Sequence, residues 1–147
     1  MRIETFLQQS PMFAISRAAR SFDALAARAL RQDGLNFLEG LVLAALFFDE
    51  PAPGKPSRMA ETFATTRGNI SHCISTLEAK GHLQRMIDPA DARSYLLVLK
   101  PQGKRCALRV IRAFDRLQAA FEKEAGKAAL ADALKIVRKL EALAQPR

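Results

Sequence analysis

The chain has no tryptophan, a single tyrosine and only two cysteines in 147 residues. Cys73 and Cys106 both fall inside helix-like patterns with no secretory signal ahead of them, so a disulfide framework is not expected and two thiols are. Long apolar runs are missing too. Leu41 to Phe48 is closed by Asp49 and Glu50, far short of the roughly 20 residues a membrane span requires. Arg17, Arg20 and Asp23 interrupt the N-terminal segment before a signal-peptide cleavage site could follow, so the expected setting is cytoplasmic, with no membrane partner. There is no glycine-rich phosphate loop, no nucleophile motif and no histidine with an acidic partner at recognisable spacing. The expectation is therefore a non-enzyme without a cofactor.

What remains is a chain that is 49% apolar and 26% charged, enough for one ordinary core and one domain. Its net charge of +8 favours an acidic partner. The excess is unevenly placed: residues 1–50 carry −1, residues 51–105 carry +5 and residues 106–147 carry +4. The basic footprint is central and C-terminal.

From Phe13, the positions Ile15, Ala19, Phe22, Ala26 and Ala29 or Leu30 recur every three or four residues, which predicts a one-sided helix stopping near Asp33-Gly34. Phe37 to Phe48 is apolar almost all round and predicts a helix buried on most faces. Three prolines and a glycine between Glu50 and Pro56 then break it. Ser57 is placed to cap a short helix over Arg58–Ala64, with Met59, Ala60 and Phe63 on one face. Thr66 is placed to cap the next, whose inward residues Ile70, Cys73, Ile74 and Leu77 sit at helical spacing and which ends at Lys80-Gly81. Leu83–Ile87 and Ser94–Leu99, around the turn-rich Asp88–Arg93, predict a β-hairpin with a long tip. Pro101 opens a helix with the stripe Leu108, Ile111, Phe114, Leu117 and Phe121; Gly126 interrupts it, and Leu130, Leu134, Val137 and Leu140 carry the pattern on.

The fold class that follows is mainly α with a small antiparallel β wing. Short helix, turn, second helix and basic-tipped hairpin is the order of a winged helix-turn-helix. A helix fits the major groove, and short polar groups on its outward side reach base edges. The outward side of the 67–80 helix carries Arg67, Asn69, Ser71, His72, Ser75 and Thr76, with no carboxylate before Glu78. At the hairpin tip Arg93 is the only cation, flanked by Asp88 and Asp91, a composition suited to aiming one guanidinium into a narrow minor groove.

Residues 58–81, together with Asp88-Pro-Ala-Asp-Ala-Arg-Ser94 and Leu99-Lys-Pro-Gln-Gly-Lys104, resemble the MarR family of regulators over about residues 58–105. The resemblance implies a single domain over 1–147. Within it, residues of about 35–100 would bind DNA, and helices of about 10–32 and 101–145 would intertwine with those of a second copy. It implies a homodimer on a pseudo-palindromic duplex operator, with contacts from Thr66, Arg67, Asn69, Ser71 and Arg93 and with Asp91 positioning the wing; the outward side of the helix adds His72, Ser75 and Thr76 as expected contacts, and the tip composition adds Asp88 as a second wing-positioning residue. It also implies a cleft for a small-molecule effector. His72 and Ala92 depart from the pattern, since both stand where the family commonly has arginine.

Other readings of the same residues are plainer. His72, Cys73, His82 and Cys106 are metal-ligating types, but adjacent helical positions do not converge on one ion, so no metal is expected and His82 is assigned to packing at the start of the hairpin. Both cysteines read as buried thiols. The nine phenylalanines read as core and dimer packing. The missing cations at 72 and 92 keep open an alternative, a winged-helix module that docks on another protein without operator specificity.

Overall fold

The computed structural model describes residues 2–146. Seven α-helices and one two-stranded antiparallel sheet make up the described part. The chain divides into two compact units, one running to Ile111 and one from Arg112.

The first unit opens with α1 (Ile3–Gln9) and α2 (Pro11–Ala29), followed by a 3₁₀ turn at Arg31–Asp33. The periodicity starting at Phe13 missed α1 and the first two residues of α2. Ser10 is extended and Pro11 occupies the first helical position of α2, where its fixed φ suits a helix start and its missing N–H costs nothing. Seven residues of α1 are too few to show a repeat. The rings of Phe6 and Phe13 nevertheless meet across the break, 5.6 Å apart.

Helix α3 (Phe37–Asp49) begins where the side chain of Asn36 accepts from the N–H of Glu39, a local cap that satisfies one orphan donor. It buries Val42, Leu43, Ala44 and Leu46. The proline-rich segment beyond it does more than break the helix. Gly54 pairs with Leu97 through two backbone hydrogen bonds of 2.9 Å, giving the hairpin a third, one-residue strand. A Cβ at position 54 would run into the side chains of Leu46 and Met59, so the close approach needs glycine.

Helix α4 (Pro56–Thr62) starts one residue ahead of the expected Ser57 cap. Pro56 sets the first turn itself, and Ser57 lies inside the helix with no capping role. Helix α5 (Arg67–Ala79) follows after a turn in which Ala64 adopts a positive φ. As expected, Thr66 caps α5, Ile70, Cys73, Ile74 and Leu77 are all buried, and Gly81 closes the end at φ +79°. Each of these aliphatic side chains contributes roughly 1.5–3 kcal/mol by leaving water, which fixes which side of α5 stays wet. The helix packs on α3 and α4 and against the first strand of the hairpin.

Strands β1 (Leu83–Asp88) and β2 (Asp91–Leu99) pair from Leu83↔Leu99 to Asp88↔Asp91, with an irregularity between Ile87 and Asp88. The long tip expected over Asp88–Arg93 is a two-residue turn, Pro89-Ala90, and Asp91, Ala92 and Arg93 belong to β2. Asp88 explains the difference. Its buried carboxylate accepts from the N–H of Ala90 (2.9 Å) and the hydroxyl of Ser94 (3.2 Å), drawing the two strand ends together.

Helix α6 (Pro101–Ala125) buries Cys106, Ala107 and Val110 completely within the first unit. Arg109 is tied to Asp33 by hydrogen bonds of 2.7 and 3.0 Å to one carboxylate oxygen. In the second unit, Gly126 separates the end of α6 from α7 (Lys127–Ala144). The expected stripe is present on α7, but nothing on that helix is fully buried; Leu134 is exposed, and so are Ile136 (63%) and Leu143 (80%). No helix among the described residues is long and apolar enough to cross a membrane.

Candidate nucleic-acid interface

The site is built from the wet side of α5 and the wing. Thr66 uses its hydroxyl oxygen to accept from the N–H of Asn69 at 3.0 Å, while the Asn69 amide donates to the hydroxyl of Thr65 at the same distance. The first turn of α5 is thereby closed by its own side chains, and Arg67, Ser71, His72 and Ser75 stand exposed beyond it. Thr76 is half-buried at the flank. The expected DNA-contacting side chains of α5 therefore lie on one accessible side, with Thr66 and Asn69 already engaged at its start.

On the wing, the two acidic side chains act on backbone and turn. Besides the bonds of Asp88, Asp91 accepts from the N–H of Arg93 at 3.0 Å, and the Ser94 hydroxyl donates to the Asp91 carbonyl at 3.2 Å. Asp91 thus sets the strand that carries Arg93, and the Arg93 guanidinium makes no ion pair among the described residues. A free cation on a stiffened strand is what a phosphate-lined groove requires.

Between α5 and the wing lies a half-open cleft of about 510 Å³, with Lys55, Arg67 and Arg93 on its walls alongside Ser57, Ser71 and Tyr95. Three cations from separate parts of the chain line it, together with the acidic Asp88 and Asp91. Lys55 was not among the residues singled out from sequence; the only signal for it was its position just before Pro56, the true start of α4.

Arg85 was also missed. From β1 its Nη2 donates to the Ser75 hydroxyl at 2.9 Å, its Nε lies 3.5 Å from Glu78, and its guanidinium sits 4.8 Å from the centre of the Tyr95 ring. Ser75, expected to face DNA, is occupied by this contact. Glu78, the first carboxylate on the exposed side of α5, is neutralised by it. Strand alternation placed Arg85 on one face of β1, but nothing in the spacing revealed which helix that face meets.

Neither cysteine offers chemistry. Burial, with Glu39 adding to it, pushes the Cys73 thiol up to about 11, and burial, with Asp33 adding to it, pushes Cys106 up to about 11, so the reactive thiolate is scarce at neutral pH. His82 is 6% exposed and packs at the start of the hairpin as expected, with an Nδ1 that has no partner. Its pKa is lowered, first by burial and then by Lys80 beside it. No cluster of three His, Cys, Asp or Glu able to hold a metal ion occurs among the described residues.

No family model and no curated protein matches the chain by sequence. Solved structures do match it over nearly its whole length. A structure of S. aureus MepR with DNA aligns with a TM-score of 0.83 at 16% identity, covering 90% of this chain and 97% of that one. PcaV from Streptomyces coelicolor, solved with its natural ligand, aligns at 0.82 with 23% identity over 95% of this chain and 96% of its own. The MarR family transcription regulator SP03579 aligns at 0.79 with 18% identity over 95% and 91%. The architecture is a winged helix-turn-helix with flanking helices. It is the fold of the MarR-type regulators.

Proposed function

We propose that the chain is a sequence-specific duplex DNA-binding transcription regulator that works as a homodimer, in the cytoplasm, and not as an enzyme. The observation that carries this reading is the division of α5 into a buried side and a wet side that offers donors and acceptors, with Arg93 held free on the neighbouring wing. Ser71 and His72 are assigned to base edges, Arg67 and Lys55 to phosphates, and Arg93 to the minor groove. Thr66, Asn69, Ser75 and Thr76 shape the helix surface around them, and Asp88 and Asp91 hold the wing. The DNA-bound MepR structure supports the reading by likeness of fold.

The dimer is assigned to the flanking helices, about 10–32 and 101–145, around a DNA-binding part of about 35–100. Exposed Phe13, Phe22 and Leu25 on α2, and Ile136 and Leu143 on α7, are apolar surface that a second copy would cover. Modulation by a small molecule is part of the proposal, supported by the ligand-bound PcaV structure.

Substitution of Arg93→Ala tests the reading in a duplex gel-shift titration over a range of salt. Affinity is expected to fall tenfold or more, consistent with losing about 1–3 kcal/mol, and the wild type is expected to weaken steeply with salt as counterions are released. An Arg93→Ala protein that binds duplex as well as wild type, or a wild type with no preference for duplex over heparin, would leave the winged-helix protein-docking module as the better reading.

A further inference from the structure

The Arg85 guanidinium touches three things at once. It donates to the hydroxyl of Ser75 and approaches the carboxylate of Glu78, one turn apart on α5, and it lies over the ring of Tyr95 on β2. Its backbone N–H donates to the other Glu78 oxygen at 3.3 Å. Tyr95 is two residues from Arg93 on the same strand, and both residues line the cleft beside α5. A planar fork that also stacks on an aromatic ring fills all three contacts, whereas an ammonium cannot. We propose that Arg85 is a positioning residue that fixes the wing, and with it Arg93, at a set distance from α5, so that one protein surface addresses the major and minor grooves in register. This rests on the duplex-DNA reading above.

A double-mutant cycle separates positioning from ordinary packing. Arg93→Ala is expected to cost tenfold or more in duplex affinity in the wild-type background but less than about threefold once Arg85→Met has released the wing. Arg67→Ala, on the helix itself, is expected to cost the same in both backgrounds. Arg85→Lys is expected to behave as Arg85→Met, because charge alone does not restore the fork and the stack. The stack also has a readout that needs no DNA. Tyr95 is the only tyrosine in a chain without tryptophan, so quenching of the intrinsic fluorescence by acrylamide reports on that ring, and quenching is expected to rise in both Arg85 variants. Additive costs in the cycle, full rescue by lysine or unchanged quenching would each overturn the proposal. If the unmodified chain bound no duplex, the DNA reading and the positioning role would fall together. Unchanged quenching with duplex binding intact would remove Arg85 alone.

Discussion

Helices α5 and α7 are both amphipathic, yet they end differently. Every residue of the inward stripe of α5 is buried, three of them completely, by α3, α4 and β1. The stripe of α7 is at best half-covered, and Ile136 and Leu143 on that helix are largely bare. Periodicity therefore announces an apolar side, and only the surroundings decide whether the chain itself supplies the cover. For α5 it does, and the result is a helix with one fixed exposed side. For α7 it does not, which is the physical basis for assigning that region to a second copy.

The largest expected effect that probes this contrast lies on the closed side. Ile74→Ala empties a fully buried site and is expected to cost about 4 kcal/mol of unfolding free energy, within the range for buried Ile→Ala changes, measured by chemical denaturation. A cost below about 1 kcal/mol would mean that α5 is not anchored as described. On the open side, Ile136→Asp is expected to leave helix content intact while it converts the proposed dimer to monomer in sedimentation. Placing an unpaired charge in the interface would cost about 3 kcal/mol, on the order of a hundredfold in association. Unchanged assembly would move the interface off α7 and remove the contrast.

The smallest expected effect concerns His82. His82 is buried neutral beside Lys80 and Arg109, with Asp33 and Glu39 opposing them. Because its folded pKa is depressed, the unfolded chain takes up a proton first as pH falls. Its contribution to stability is full above about pH 6.5 and is lost below it, at no more than about 1.4 kcal/mol per pH unit. Denaturation midpoints are expected to drop between pH 7.5 and 5.5 in wild type and to drop less in His82→Gln. Equal slopes in wild type and variant would remove the effect.

Much of this architecture was legible in the residues. Thr66, the four-residue stripe from Ile70 to Leu77 and Gly81 defined α5 with its wet side, because cap, period and stop are all local. The two strands of the hairpin were legible in the same way, but its tip was not. Asp88 shortened the expected six-residue tip to two by bonding to Ala90 and Ser94, and a carboxylate in a turn does not reveal its partners by spacing. Lys55 and Arg85 escaped for a related reason. Their importance comes from Arg67, Ser71, Ser75 and Tyr95 being brought beside them by other elements, and no window along the chain contains that information.

Selection of bound sites from randomised duplex DNA tests the central claim most directly. The account expects a two-fold symmetric site whose half-site centres lie about 10 bp apart, one helical turn, as a pair of α5 helices in successive major grooves requires. A pool that enriches no sequence, or one without two-fold symmetry, would contradict it.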